Sequence, residues 1–123
     1  MRTVICGGPK TGKTTLSQSL PSPVYHTDDR ISLGWSEASE SVSQLFSSPG
    51  PWTVEGAAAA RALRKWLASN PTGKPCDQVI LLSGVMDSAQ YTPRHAAMAK
   101  GIETVFSEIE GELLARGVEV IRQ

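Results

Sequence analysis

The first twenty residues, "MRTVICGGPKTGKTTLSQSL" (1–20), predict a strand, a glycine-rich loop and a helix in immediate succession. Residues 2–6, "RTVIC", are largely β-branched and apolar, which is typical of a buried strand. Residues 13–20 are compatible with a helix, and Pro21 and Pro23 would end it. A strand, a loop and a helix in this order form the local context in which backbone N–H groups converge on an anion.

The loop, "GGPKTGKT" (7–14), matches the phosphate-binding pattern G-x-x-x-x-G-K-[ST]. Gly7 and Gly12 permit backbone conformations and a close approach that a Cβ would obstruct. The amides of the loop and of the following helix can then bind the oxygens of a nucleoside triphosphate. We expect Lys13 to reach the outer phosphates and the Thr14 hydroxyl to bind Mg²⁺. The predicted nucleotide-binding residues are Gly7, Gly8, Pro9, Lys10, Thr11, Gly12, Lys13, Thr14 and Thr15.

Strands and helices are predicted to alternate along the rest of the chain. The further strands are predicted at 24–29, 52–56, 77–84 and 118–121, and the further helices at 37–47, 57–69 and 93–116. Because the apolar strands are not amphipathic, they predict a parallel sheet that is covered on both faces, in an α/β sandwich. Gly101 and Gly111 weigh against one unbroken last helix, and Gly117 is expected to cap it. The serine-rich segment 32–48 is interpreted as a surface helix or a mobile flap.

Length and composition predict one domain over residues 1–123. Apolar residues make up 40% of the chain and charged residues 20%, which excludes a disordered or a membrane composition. We expect a cytoplasmic protein with no membrane partner, because the chain has neither a long apolar run nor a secretory leader pattern. Lys and Arg together number 12, as do Asp and Glu, so any attraction for phosphate must be local. Cys6 and Cys76 favour two buried free thiols over a disulfide or a metal pair.

Acidic residues follow two of the predicted strands. Asp28 and Asp29 come just after the second strand, on the edge of a parallel sheet that would also carry the phosphate loop. A carboxylate there can accept a proton from an attacking hydroxyl, orient it, or hold Mg²⁺ through water; the alternative is a turn or cap. Glu55 ends the third strand and is interpreted either as a magnesium or substrate contact or as a cap of the next helix.

Cationic candidates lie between the fourth strand and the last helix. Arg94, His95 and Lys100 could neutralise charge on a transferring phosphoryl group, and Arg94 is favoured because a guanidinium matches phosphate oxygens. Arg61 and Arg64 follow the third strand, and a solvated helix face is the preferred interpretation for at least one of them.

The loop, "TDD" (27–29), "VEG" (54–56) followed by "ARALRKWL", and "RHAAMAKGIETVF" (94–106) together resemble the small phosphate-loop kinases. That group includes adenylate-kinase-like, shikimate-kinase-like and zeta-toxin-like proteins and the kinase domain of polynucleotide kinases. The resemblance implies a three-layer α/β sandwich with a five-stranded parallel sheet in the order 2-3-1-4-5, and with ATP and Mg²⁺ at its carboxyl edge. It also makes a viral source an expectation.

By the same resemblance, Lys13 and Thr14 would take the phosphate and magnesium roles, Asp28 or Asp29 would be the substrate-activating carboxylate, and Arg94 would be the lid cation. The predicted catalytic residues are therefore Lys13, Asp28, Asp29 and Arg94. The predicted metal-binding residues are Thr14, together with Asp28 and Glu55 from their positions after the strands. The chain departs from the family in its short length and in the single arginine of "DSAQYTPRH" (87–95), where lids often offer several.

The leading functional hypothesis is an ATP-dependent phosphotransferase. Its acceptor would be a hydroxyl or phosphate group on a nucleotide, a nucleic acid or another small molecule. A nucleotide-gated ATPase or interaction module without an acceptor is the alternative. A GTP-dependent switch is disfavoured, because no Asn-Lys-x-Asp segment occurs in the sequence.

Overall fold

A computed structural model of the chain describes residues 1–7, 23–27, 35–56, 58–82 and 93–122, and of residues 35–39 only the backbone. These ranges contain five strands and three helices. In chain order they are β1 (Arg2–Gly7), β2 (Val24–His26), α1 (Trp35–Leu45), β3 (Trp52–Glu55), α2 (Ala59–Ser69), β4 (Gln78–Leu82), α3 (Pro93–Ala115) and β5 (Glu119–Arg122). The helix predicted at 13–20 lies outside the described residues.

The five strands form one sheet, in which every pairing is parallel and the order is β2-β3-β1-β4-β5. The predicted α/β class, strand number and strand order are therefore confirmed. β1 is the central strand, and its Ile5 lies opposite Glu55 of β3 on one side and Ile80 of β4 on the other.

The direction of the connections between strands determines the face of the sheet on which each helix lies. The chain moves the same way across the sheet from β2 to β3, from β3 to β4 and from β4 to β5, and right-handed crossovers place such connections on one face. Accordingly α2 and α3 pack on β1, and α1 packs beside α2. The main core on this face includes Val4, Cys6, Val54, Leu63, Val79, Leu81, Phe106 and Leu113.

The opposite face of the sheet is also buried. Ile5, Ile80 and Leu82 form a second apolar cluster there, and Ile121 of β5 packs against it. Buried side chains on both faces explain why the strand sequences read as continuous apolar runs and not as alternating patterns.

The apolar faces predicted for the helices are largely confirmed. Ala59, Leu63 and Leu67 of α2 are buried, while Trp66 is half-buried. Arg64 projects from the outer face of α2 and pairs with Glu108 of α3 at 3.2 Å, as expected of a solvated face.

α3 continues without interruption through Gly101 and Gly111, where the sequence made a break plausible. A Cβ added at either glycine would meet no atom within 4 Å, so packing does not require glycine at these positions. Gly117 adopts φ +90° after the helix, which confirms the predicted left-handed cap.

Both cysteines are buried and neither forms a disulfide, as the sequence predicted. Trp52 is also a core residue: it is 1% exposed, its ring stacks on Phe46, and its indole N–H donates to the Ser48 carbonyl at 2.9 Å. Within the ranges that the structure describes, none of the helices is both long and apolar enough to cross a bilayer.

Candidate functional site

The candidate site lies at the carboxyl edge of the sheet, around the end of β1. Gly7 is the last residue of β1, lies opposite Leu82 of β4 and is buried. The chain leaves β1 toward β2, whereas it leaves the neighbouring β3 and β4 in the opposite direction across the sheet. Such a reversal creates the crevice in which open α/β sheets bind ligands.

Most of the predicted site residues lie outside the part of the chain that the structure describes. Residues 8–15 of the phosphate loop, including Lys13 and Thr14, lie outside the described residues, and so do Asp28 and Asp29. Gly7, Glu55 and Arg94 are the members of the predicted set whose positions the structure gives.

Glu55 is placed beside the start of the predicted loop. It is the last residue of β3, pairs with Ile5 of β1, and its side chain is 3% exposed. Ideal strand spacing and rise put its Cα about 8 Å from the Cα of Gly7. A buried carboxylate must have polar partners to offset its lost hydration, so its contacts are informative.

The partner of Glu55 is His26 of the neighbouring strand β2. The two residues lie opposite each other in register, and His26 Nδ1 is 2.5 Å from Glu55 Oε1. The His26 side chain is 39% exposed, so the pair joins a buried carboxylate to a partly accessible ring. A carboxylate on one ring nitrogen fixes the orientation of an imidazole, as it does in many catalytic and metal sites.

Thr27, directly after β2, makes the second contact at this edge. It is 1% exposed, and its Oγ1 accepts a hydrogen bond from the Ala58 backbone N–H at 3.3 Å. Because this N–H lies at the start of α2, the hydroxyl acts as a helix cap supplied from another element. The capping role that was open for Glu55 is thus taken at Ala58 by Thr27.

Gly56 makes room for that hydroxyl. Its φ is +138°, and a Cβ built on it would lie 1.9 Å from Thr27 Oγ1 and 2.9 Å from Thr27 Cβ. Its own N–H bonds to the Ile5 carbonyl at 3.3 Å, so the turn is also tied to the central strand. The glycine of "VEG" is therefore required by both backbone conformation and space.

The start of α3 extends past the sheet at the same edge. Its 23 residues span about 34 Å, against about 20 Å for the six residues of β1. Arg122, the last residue of β5, pairs with Glu103 at 3.0 Å and with Glu110 at 2.8 Å, so α3 crosses the level of the carboxyl edge between these two residues. Arg94 lies on the overhanging segment 93–101 and is exposed.

The other cationic candidates have similar positions. His95 and Lys100 lie on the same overhanging segment, half-buried and exposed respectively, and Arg61 is exposed in the first turn of α2. Arg94, His95 and Lys100 thus lie on the part of α3 that extends past the carboxyl edge of the sheet.

Sequence reasoning missed His26 and Thr27. One signal was available: "VEGAAAA" (54–60) opens α2 without a Ser, Thr, Asp or Asn in its own N-terminal turn, which leaves its amides in need of a cap from elsewhere. The partners lie 29 and 31 residues apart in the chain, and no local pattern links them.

In the described part of the chain, no group of three or more His, Cys, Asp or Glu side chains is arranged to hold a metal ion. Comparison with protein-family models found no model that matches the chain, and comparison with curated proteins found no match. The features of this chain that indicate a function are therefore the loop motif and the geometry of the carboxyl edge.

Proposed function

We propose that this chain is an ATP-dependent phosphotransferase that moves the γ-phosphoryl group of ATP to an acceptor. One observation carries the proposal: the pattern G-x-x-x-x-G-K-T begins at Gly7, and Gly7 is the last residue of the central strand of a parallel sheet. Phosphate loops require this junction, because the amides after the strand must be free to face an anion.

Catalysis would consist mainly of positioning and charge neutralisation, since phosphoryl transfer requires little covalent chemistry from a protein. Lys13 and the loop amides would hold the triphosphate, and Asp28 or Asp29 would orient the acceptor and accept its proton. Arg94 is the proposed lid cation: the overhang of α3 supports this role, because it carries the guanidinium beyond the same edge of the sheet.

Glu55 fits a supporting role toward Mg²⁺. A carboxylate is the oxygen ligand that Mg²⁺ prefers, but Oε1 of Glu55 is already bonded to His26. Contact through a bound water therefore fits Glu55 better than direct ligation, with the Thr14 hydroxyl and Asp28 as the other proposed contacts. When bound, Mg²⁺ would neutralise charge on the phosphates.

The test is an acceptor screen with γ-labelled ATP. The acceptors are nucleosides, nucleoside monophosphates, oligonucleotides with a 5′-hydroxyl group and small-molecule alcohols. Lys13→Met is expected to abolish transfer, and one of Asp28→Asn and Asp29→Asn is expected to do so, each with a near-normal fold by circular dichroism. Lys65→Met is the matched control, because Lys65 lies in the middle of α2, away from the loop junction.

If both aspartate variants still transfer the phosphoryl group, neither Asp28 nor Asp29 is the residue that accepts the proton, but the kinase proposal stands. Binding of ATP with no labelled product from any acceptor would refute the kinase proposal itself.

A nucleotide-gated ATPase or interaction module is the second candidate, and the position of Glu55 favours it. ATPases of that type use an acid at the end of a strand beside the loop strand, and Glu55 ends β3 next to β1. This candidate would be preferred over the kinase if self-assembly stimulates ATP hydrolysis and no acceptor is labelled. The hydrolysis should also be lost in Glu55→Gln.

A further inference from the structure

We propose that Thr27 is a positioning residue for the phosphoryl transfer proposed above, on which this inference rests. Its hydroxyl joins the end of β2 to the start of α2, and Thr27 directly precedes the proposed acid pair in the sequence. Neither the sequence pattern nor the family resemblance assigned a role to Thr27.

β2 is short and needs such a contact. It has three residues and lies at the edge of the sheet, where one strand alone, β3, pairs with it. Backbone pairing over this length is weak. Two side-chain contacts reinforce its carboxyl end: the pair of His26 with Glu55, and the bond from the Ala58 N–H to Thr27.

The contact of Thr27 is tight on every side that the structure describes. A Cβ at position 56 would lie 1.9 Å from the Thr27 hydroxyl, so a residue other than glycine would collide with it. The Thr27 side chain is buried, as is Ala58 at the start of α2. A shift of Thr27 would therefore break the bond to Ala58 or open a gap against Gly56. This arrangement fixes the end of β2 relative to β3 and α2.

A helix cap alone does not need this arrangement. A Ser or Asp within the first turn of α2 would cap the helix equally well without linking two elements. The cap from Thr27 also fixes the residue to which the proposed acid pair is covalently joined, since Asp28 follows Thr27 in the sequence. Misplacement of a catalytic group by about 1 Å can cost about a hundredfold in rate.

The experiment measures the dissociation constant of Mg-ATP and the kcat and KM of transfer to the acceptor that is used fastest in the screen. Thr27→Val replaces the hydroxyl with a methyl group of similar size, and Thr27→Ser keeps the hydroxyl.

Arg116→Ala is the matched control. The Arg116 guanidinium donates to the carbonyls of Leu67, Asn70 and Gly73, so it caps the other end of α2 from outside, at the opposite edge of the sheet. This control loses a cap of the same helix but leaves the carboxyl edge intact.

We expect Thr27→Val to lower kcat about 10- to 100-fold and to leave the affinity for Mg-ATP within about twofold. Thr27→Ser should restore kcat to within about threefold of the wild type, and Arg116→Ala should lower the melting temperature without lowering kcat.

A kcat that falls by the same factor in Arg116→Ala as in Thr27→Val would overturn the inference, because the role of Thr27 would then be structural alone. A wild-type kcat in folded Thr27→Val would also overturn it and leave the kinase proposal standing. A wild type that binds Mg-ATP and labels no acceptor would instead refute the proposed function, and the positioning role would fall with it.

Discussion

Replacing Gly56 with alanine should be among the most destabilising single substitutions at the carboxyl edge. At φ +138° an L-residue is strained, which costs about 1–3 kcal/mol. The new Cβ would also stand 1.9 Å from Thr27 Oγ1, so Thr27 must move away and leave the Ala58 N–H without its acceptor. An unsatisfied buried N–H costs about 1–3 kcal/mol more. The total, about 2–6 kcal/mol, is a large part of the stability of an ordinary domain, about 5–15 kcal/mol.

The assay is urea unfolding at equilibrium, followed by tryptophan fluorescence, with the free energies extrapolated to water. Gly111→Ala is the matched control, because it adds the same methyl group at a helical glycine with no neighbouring atom within 4 Å. We expect the control to gain about 0.5–1 kcal/mol, since alanine is the better helix former. Gly56→Ala should lose several times that amount.

Combining Gly56→Ala with Thr27→Ala separates the two causes. The double variant has no hydroxyl for the Cβ to meet, so its loss should be smaller than the sum of the two single losses. A loss below about 1 kcal/mol in Gly56→Ala would refute the reasoning from strain and contact. Strictly additive losses would refute the claim that the Thr27 hydroxyl is the obstacle.

Three further predictions concern other parts of the fold. Arg116→Ala should lower the free energy of unfolding by about 1.5–3 kcal/mol in urea, and Arg116→Lys should recover less than half, because an ammonium cannot reproduce the guanidinium fork. The bond from the Arg2 backbone N–H lowers the pKa of Asp77 below its ordinary value of 3.8. The resulting stability is present above that value and is lost as pH falls through the folded-state pKa, so Asp77→Asn should flatten the loss of stability between about pH 5 and about pH 3. Cys6 and Cys76 are fully buried, and burial raises the pKa of the Cys76 thiol, so a thiol reagent should modify neither in the native protein and both in urea. A steep acid profile in Asp77→Asn, or rapid modification of either thiol in the folded state, would contradict the corresponding prediction.

The sequence predicted the elements well where local signals were strong. The apolar run "QVILL" (78–82) marked β4, and the spacing of Leu63 and Leu67 marked the buried face of α2. The strand order followed from the family resemblance and not from periodicity, because parallel pairing joins residues that no local pattern relates. The strand predicted at 24–29 ends at His26, since Thr27 turns away to meet Ala58.

The roles assigned to Gly7, Glu55 and Arg94 stay predictions; the structure gives their positions at the end of β1, at the end of β3 and in the first turn of α3. The pairing of His26 with Glu55 and the cap from Thr27 could not be predicted, because each depends on which strands become neighbours. The continuity of α3 through Gly101 and Gly111 was also missed: the glycine penalty of about 1 kcal/mol each is smaller than the gain from burying the other side of the helix.

The two outside caps of α2 have a consequence for how this helix moves. Helix ends normally fray, and their amides exchange with solvent sooner than those in the middle. In α2 the first turn is tied to Thr27 and the last turn to Arg116, so neither end can open without releasing a different element of the fold. The amide of Ala58 should therefore exchange with deuterium about as slowly as those of the central turn. We expect α2 to unfold as one unit together with the sheet.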